Sequence, residues 1–279
     1  MAFRRFLNFV KIEHTLFSLP MIYGGVILAA QGLPPLRTLL LILLSATGAR
    51  TVALSLNRLI DREIDQRNPR TATRELPSGR MNVPEALAVL AAGLALYFVP
   101  AYFIGRFCLL WSPLPLAVFV SYPYMKRFTP LAHFGVGLGL AMAPLGGWVA
   151  IQQSLQTLMP GVWLGLFTLF WVAGFDVIYA TMDEDFDRRA NLYSFPSRLG
   201  RARALQISAL LHALAFITLS IVYAKYVDSL AALPLLLTAG VLLYYEHKQA
   251  ANVELAFFKI NAVLGAVVFA MITIGVLYP

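Results

Sequence analysis

Long apolar runs dominate the chain, and polar positions are confined to the short stretches between them. A bilayer core needs about 20 apolar residues for each helix that crosses it. The runs are continuous, whereas the strands of a membrane barrel would alternate over about ten residues. They therefore predict an all-α integral membrane protein, a single bundle covering residues 1–279. The nine transmembrane helices that it predicts lie near residues 14–32, 36–57, 84–104, 107–124, 131–152, 158–180, 203–224, 229–245 and 256–278.

Composition excludes soluble and disordered classes of protein. Hydrophobic residues make up 59% of the chain and charged residues 13%, whereas ordinary globular domains carry about 25% charge. The formal net charge of +8 has to be interpreted through topology before it is assigned to a partner.

The distribution of the basic residues predicts which face is cytoplasmic. Among 22 Lys and Arg residues, only Arg37, Arg106 and Lys225 fall on one face, and Arg50 falls inside a span. The other 18, including Arg4, Arg5 and Lys11, lie on the face of the N-terminus, which is cytoplasmic by the positive-inside rule. We therefore expect a multi-pass protein of the cell membrane with no nucleic-acid partner. Its cytoplasmic cap is predicted to be formed by loops at about 62–83, 125–130 and 184–202.

Seven of the 14 acidic residues lie in two short segments. The first reads N-R-L-I-D-R-E-I-D from Asn57 to Asp65, and the second reads D-E-D-F-D from Asp183 to Asp187. Helical spacing places the polar residues that precede and include each segment on one stripe. The first stripe contains Arg50, Asn57, Asp61 and Asp65, and the second contains Asp176, Asp183 and Asp187.

Convergence of the two stripes would bring four carboxylates together, and they would repel one another unless a cation intervened. Mg²⁺ prefers such hard oxygen ligands together with substrate phosphates. The pattern therefore predicts a Mg²⁺ site formed by Asp61, Asp65, Asp183 and Asp187.

Basic residues flank both acidic segments and indicate what the metal would hold. Acids that bind a metal and are ringed by Arg and Lys match a diphosphate, because the bases neutralise the remaining phosphate oxygens. The residues predicted to bind the diphosphate are Arg70, Arg74, Tyr122, Lys126 and Arg198.

Together these motifs resemble the UbiA superfamily of intramembrane prenyltransferases. The resemblance covers nearly the whole chain and includes the stretch R-T-A-T-R-E-L-P-S-G that begins at Arg70. It implies a nine-helix bundle in which Mg²⁺ on the two aspartate motifs holds a polyprenyl diphosphate, with the prenyl tail in a groove open to lipid. The other matching motifs are N-x-x-x-D-x-x-x-D at Asn57, Y-x-x-x-K at Tyr122 and D-x-x-Y-A-x-x-D-x-x-x-D at Asp176.

Two positions depart from the pattern of many 4-hydroxybenzoate enzymes in this superfamily. Those enzymes often begin the first motif with Asn-Asp, where this chain has Asn57-Arg58, and they often read R-P-L-P-S-G, where it has Arg74-Glu75. Both departures are similar to the branch that includes the menaquinone enzymes of the futalosine pathway. The aromatic substrate is therefore left open, whereas the reaction class is not.

The resemblance implies prenyl transfer in ubiquinone or menaquinone biosynthesis, through an allylic cation, to a small phenolic carboxylate similar to 4-hydroxybenzoate. The residues expected to be catalytic are Arg50, Asn57, Lys126 and Asp176. Lys126 would stabilise the leaving group and Arg50 would suit the carboxylate. Asn57 would hydrogen-bond substrate or position a metal ligand. Asp176 would position a base or pair with Arg50 in a structural ion pair.

Several alternative functions fit the same sequence. Within the superfamily they are prenylation of a dihydroxynaphthoate, archaeal ether-lipid alkylation and haem farnesylation. A secondary transporter also places acidic and basic residues inside repeated helical halves. A lipid-binding scaffold is a third class, and it would tolerate loss of the aspartates. Product formation from prenyl diphosphate without a membrane gradient distinguishes an enzyme from a transporter.

Overall fold

The structure is a computed structural model that describes residue 9, residues 15–250, residue 252 and residues 259–278. The basic residues Arg4, Arg5 and Lys11 lie outside the described residues, as do the start of the first predicted span and residues 256–258 of the last. Within the described part of the chain the regular structure is helical, and no strand occurs there.

The apolar runs form long helices, and short helices occur in the connections between them. Pro at the first or second position begins several of the long helices, where its missing N–H leaves no hydrogen bond unmade. The helices are α1 (Thr15–Ala30), α2 (Leu36–Ile60), α3 (Arg62–Arg67), α4 (Val83–Ile104), α5 (Arg106–Trp111), α6 (Pro113–Met125), α7 (Ala132–Gln152), α8 (Met159–Ala180), α9 (Glu184–Arg189), α10 (Phe195–Leu199), α11 (Arg201–Val222), α12 (Leu233–Lys248) and α13 (Asn261–Leu277).

The predicted all-helical membrane architecture is confirmed, whereas the count of nine spans remains a prediction. Among the described residues, six helical segments are long and apolar enough to cross a bilayer, and two shorter apolar helices occupy Ser18–Ala30 and Asn261–Leu277. The predicted eighth span, 229–245, overlaps α12, a helix of 16 residues that ends at Lys248.

Two predicted helices are interrupted. The predicted fourth span divides into α5 and α6 at Ser112, because Pro113 has no backbone N–H to continue the helical ladder. The stripe expected to run through Asp65 is also divided, since α2 ends at Ile60 and α3 begins at Arg62. The N–H of Asp65 still donates to the carbonyl of Asp61 at 2.8 Å, so the two aspartates stay close to helical register.

The bundle packs around α8, whose side chains fill its centre. Phe167, Trp171 and Val172 are all fully buried. Helix α7 comes close to α1 at Gly147, which has no Cβ atom. A Cβ atom at this position would lie 2.3 Å from the carbonyl oxygen of Ile22. Small residues allow membrane helices to approach in this way. Helix α7 is thereby held against α1 beside the cavity described below.

The three connections predicted to form a cap contact one another at one end of the bundle. The N–H of Tyr193 donates to the carbonyl of Lys126 at 2.7 Å, and the side-chain amide of Asn68 donates to Asp183 at 2.9 Å. We call this region, formed by residues 61–82, 126–131 and 183–200, the charged end.

Candidate active site at the charged end

Asp61, at the end of α2, is clamped by two basic side chains from the end of α6. The Nζ atom of Lys126 is 2.7 Å from Oδ2, and Nη1 of Arg127 is 3.2 Å from Oδ1. Burial raises the pKa of the Asp61 carboxyl above its usual value, although Lys126 and Arg127 both act to lower it. Arg127 also donates to the carbonyls of Ile60 and Pro123 at 2.9 Å, so it fastens α6 to α2.

Asp65 binds a basic residue from the loop that follows its own short helix. Nη1 of Arg74 lies 2.8 Å and 3.0 Å from the two carboxylate oxygens. The loop folds back because the hydroxyl of Thr71 donates to the backbone carbonyl of Asp65 at 3.0 Å. Arg74 is thereby positioned beside α3.

Asp183, which follows α8, binds side chains from the loop after α3. Nε of Arg70 donates to Oδ1 at 2.8 Å, and Nη2 donates to Oδ2. The same guanidinium donates to the Tyr179 hydroxyl at 2.6 Å and lies over that ring. Burial acts to lower the pKa of Arg70, but its bonds to Asp183 and Tyr179 outweigh burial and raise it. Arg70 therefore stays positively charged.

Asp187 lies in α9 and contacts the segment that begins α10. The hydroxyl of Ser194 donates to its Oδ2 at 2.9 Å. The predicted diphosphate residue Arg198 lies further along α10, with its guanidinium 3.6 Å from the centre of the Tyr193 ring. The structure thus places Arg198 against Tyr193, and its role towards a phosphate remains a prediction.

The four predicted metal ligands, Asp61, Asp65, Asp183 and Asp187, all lie at the charged end, and their role towards Mg²⁺ stays a prediction. Within the described residues, no group of three acidic, His or Cys side chains is placed to hold a metal ion. Lys126, Arg74 and Arg70 already neutralise three of the four carboxylates. A preformed trio is not required for Mg²⁺, which usually binds one or two carboxylates together with substrate phosphates. Hard carboxylate oxygens at one end of the bundle therefore fit the predicted ion.

An apolar cavity of about 420 Å³ lies between α1, α2, α4, α5, α6, α7 and α8. Its charged lining residues are Arg50 and Asp176, which the sequence identified as candidates inside the membrane. Nη1 of Arg50 is 3.4 Å from the Ser18 hydroxyl. A cavity that is mostly apolar with a few polar groups is typical of a ligand site.

Asn57 and Tyr122 connect this cavity to the acidic residues. Tyr122 lines the cavity, and its side chain lies close to the Asn57 side chain. The Asn57 amide in turn donates to Oδ2 of Asp61 at 3.3 Å. A path of polar side chains therefore runs from the apolar cavity, through Tyr122 and Asn57, to the Asp61–Lys126 pair.

His133 is a residue of this site that sequence reasoning missed. Its Nδ1 atom lies 2.7 Å from Oδ2 of Asp176, whereas the sequence suggested only Arg50 as a structural partner for that carboxylate. The two residues are 43 positions apart, and the histidines show no ligand spacing. The alternation of apolar and polar residues gives no signal for such a contact.

The two positions that depart from the pattern of many 4-hydroxybenzoate enzymes are neighbours in the structure. Nη1 of Arg58 lies 3.6 Å from Oε2 of Glu75, and both side chains are less than a tenth exposed. The Arg58 guanidinium also lies over the Phe9 ring, 5.3 Å from its centre. Arg58 and Glu75 are therefore charge partners. Together they join α2 to the loop that carries Arg70 and Arg74.

Replacing Glu75 with Ala should lower the free energy of unfolding by about 3–5 kcal/mol, since it leaves the buried Arg58 charge without this partner. Thermal denaturation of the purified protein in detergent measures the effect. Arg80→Ala is the matched control. Arg80 also lies 3.6 Å from Glu75, but its side chain is half exposed, so its loss should cost about 1 kcal/mol or less. Equal effects of the two substitutions would contradict the importance assigned to the Arg58–Glu75 pair.

The structure so far defines a class of protein: a helical membrane bundle with an apolar cavity that leads to paired acidic and basic residues at one end. A match to the model of the UbiA prenyltransferase family covers residues 18–263. The chain belongs to this family.

Individual relatives agree with the family assignment. The chain is 31% identical over 195 residues to a 4-hydroxybenzoate octaprenyltransferase of Actinobacillus pleuropneumoniae serotype 5b (strain L20), covering 70% of this chain but 66% of that protein, just under two thirds of its length. It is 27% identical over 255 residues to the enzyme of the same name from Aliivibrio salmonicida (strain LFI1238), covering 90% of this chain and 88% of that protein.

Solved structures show the same fold. The apo structure of a UbiA homolog from Aeropyrum pernix K1 superimposes with a TM-score of 0.88 at 34% identity, covering 94% of this chain and 98% of that one. A UbiA homolog from Archaeoglobus fulgidus bound to GPP and Mg²⁺ has a TM-score of 0.73 at 21% identity, covering 96% and 99% of the two chains. At 21% identity, the similarity to this second structure shows a shared fold alone.

Proposed function

We propose that this protein transfers a polyprenyl group from a polyprenyl diphosphate to a small phenolic carboxylate of the 4-hydroxybenzoate type, in quinone biosynthesis. The observation that carries the proposal is the polar path from the apolar cavity, through Tyr122 and Asn57, to the Asp61–Lys126 pair. A prenyl tail fits the apolar cavity, and a diphosphate fits the basic residues beyond it. The names of the relatives support the same acceptor class.

The charged end would bind the diphosphate, with Lys126, Arg70 and Arg74 as its main basic ligands. Each of these residues is already held by an aspartate, which orients it before substrate arrives. Tyr122 and Arg198 are the further candidates. Asp61, Asp65, Asp183 and Asp187 would hold Mg²⁺, which supplies positive charge to the leaving diphosphate.

The reaction separates charge at a site that excludes water. The bond between the allylic carbon and the diphosphate oxygen breaks, and its electron pair leaves with the diphosphate, which Lys126 stabilises. The ring carbon ortho to the phenol hydroxyl then forms the new carbon–carbon bond. Asp176 takes the proton that this ring carbon loses. The apolar cavity keeps water from quenching the cation.

Arg50 and Asn57 would orient the acceptor for this attack. Arg50 would bind its carboxylate, since a guanidinium forms a strong charge-assisted pair with that group. Asn57, which donates a hydrogen bond to Asp61, would set the acceptor relative to the leaving group. The charged end would face the cytoplasm as a cap, where the soluble acceptor and Mg²⁺ are available.

Replacing Arg50 with Met tests the acceptor assignment directly. A charged hydrogen bond contributes about 1.5–3 kcal/mol, so KM for 4-hydroxybenzoate should rise about 10- to 100-fold. The amide analogue of the same phenol lacks the carboxylate charge, and its KM should change little between the two proteins. A panel containing dihydroxynaphthoates and a glycerol-phosphate lipid identifies the acceptor used. A wild-type preference for the glycerol-phosphate lipid would overturn the phenolic acceptor and favour ether-lipid alkylation.

Removal of divalent metal should abolish transfer. Treatment of the purified protein with EDTA is expected to lower the rate at least about 100-fold, because the charge on the leaving diphosphate loses its strongest counterion. Added Mg²⁺ should restore the rate, and Ca²⁺ serves as a comparison ion of equal charge and larger size. Full activity in excess EDTA would contradict the role assigned to the four aspartates.

A further inference from the structure

His133 lies at the start of α7 and joins Asp176, which lines the cavity, to the cap segment at α10. Its Nδ1 atom is 2.7 Å from Oδ2 of Asp176, and its Nε2 atom is 3.3 Å from the backbone nitrogen of Phe195. The imidazole also stacks on the Phe195 ring, with 5.4 Å between centres and 18° between planes. Its side chain is only 4% exposed, so packing and hydrogen bonds together fix the ring.

These two partners assign the proton on the imidazole. A backbone N–H can only donate, so Nε2 has to accept from Phe195 and cannot carry a hydrogen. The hydrogen of the neutral ring therefore sits on Nδ1, which donates to the Asp176 carboxylate. A carboxylate accepts at both of its oxygens, so the bond from His133 to Oδ2 does not prevent Oδ1 from acting as an acceptor, and Asp176 lines the cavity.

We propose that His133 is the positioning residue for Asp176: it fixes the orientation of the carboxylate that receives the ring proton of the acceptor. This inference rests on the proposed function, because it gives Asp176 a part in the reaction with an acceptor. A side chain that orients a reacting group through one hydrogen bond acts on the rate of the chemical step, whereas substrate binding is largely unaffected.

His133 also contacts the cap segment, through the backbone of Phe195. Phe195 follows Ser194, whose hydroxyl donates to Asp187 at 2.9 Å. Two consecutive residues of the cap thus contact His133 on one side and an aspartate of the charged end on the other. His133 therefore links Asp176 to the cap segment and, through Ser194, to Asp187.

Two amide substitutions separate the two hydrogen bonds of His133. His133→Asn puts an amide nitrogen near the position of Nδ1, so it keeps a donor for Asp176 and loses the contact with Phe195. His133→Gln reaches the position of Nε2 and keeps an acceptor for Phe195, but it loses the donor for Asp176. We expect His133→Asn to keep kcat within about 3-fold and His133→Gln to lower it about 100-fold, with KM for prenyl diphosphate nearly unchanged.

A double-mutant cycle distinguishes positioning from general support of the fold. If His133 acts through Asp176, His133→Gln should cost little more in kcat when Asp176 is already Asn, because the carboxylate that it orients is gone. Thermal denaturation of every variant identifies a protein that has simply lost stability. Equal kcat for the Asn and Gln variants, or additive losses in the cycle, would overturn the inference while leaving prenyl transfer by the wild type intact. A wild-type protein that forms no product with any acceptor would instead overturn the proposed function, and this inference with it.

Discussion

Replacing Asp183 with Asn is expected to lower the rate of prenyl transfer about 1,000-fold while the protein still inserts and folds. Asp183 lies just after α8, and it accepts hydrogen bonds from Arg70 and Asn68 in the loop after α3. The substitution removes a predicted metal ligand and also releases Arg70 from its fixed position. Both changes weaken stabilisation of the charge that develops on the leaving diphosphate, so the loss should appear in kcat.

Asp185→Asn is the matched control for this substitution. Asp185 lies two residues away in α9 and is exposed, so removal of its charge should leave the rate within about 2-fold, as for most surface changes. The assay follows transfer of a labelled prenyl group with saturating acceptor and Mg²⁺. More than a tenth of the wild-type rate in Asp183→Asn would contradict the role given to this aspartate.

Replacing Lys126 with Met is the second large effect, with an expected loss of about 100- to 1,000-fold in kcat. Its ammonium group contacts Asp61 at 2.7 Å, at the point where the path from the cavity reaches the charged end. The methionine side chain preserves most of the length and packing of the lysine. We therefore expect the melting temperature to change little.

Arg127→Met provides the comparison, because Arg127 also contacts Asp61. Its guanidinium additionally binds the carbonyls of Ile60 and Pro123, so its loss should lower the melting temperature more than that of Lys126→Met. It should lower kcat less. Two variants with the same loss of kcat would show that the charge around Asp61 matters as a whole, and that Lys126 has no separate part in the reaction.

The long helices could be predicted from the sequence because each apolar run carries its own signal. The division at Ser112–Pro113 was missed, since the residues on both sides are equally apolar and only the missing N–H of Pro113 marks the break. Helix α12 shows a second difficulty, which concerns the ends of a predicted span. Hydropathy alone does not place the ends of this helix, which runs from Leu233 to Lys248 where the sequence predicts 229–245.

The acidic residues of the site could be predicted, whereas most of their partners could not. Asp61 and Asp183 stand out as charges at the ends of apolar runs, where a charge is costly without a function. Their contacts with Arg127 and Asn68 depend on how helices and loops pack, and no residue spacing encodes those distances. In the sequence, Arg58 and Glu75 are two separate departures from the pattern of many 4-hydroxybenzoate enzymes. Only the fold shows that they form an ion pair.

The most direct test of the account measures product and released diphosphate together, with purified protein in detergent, labelled geranylgeranyl diphosphate, Mg²⁺ and a phenolic carboxylate. Detergent removes any membrane gradient, so a transporter would form no product. The account predicts prenylated phenol and diphosphate in equal amounts, and neither in excess EDTA. Absence of product from folded protein, with every acceptor and several prenyl lengths, would contradict prenyl transfer and favour a transporter.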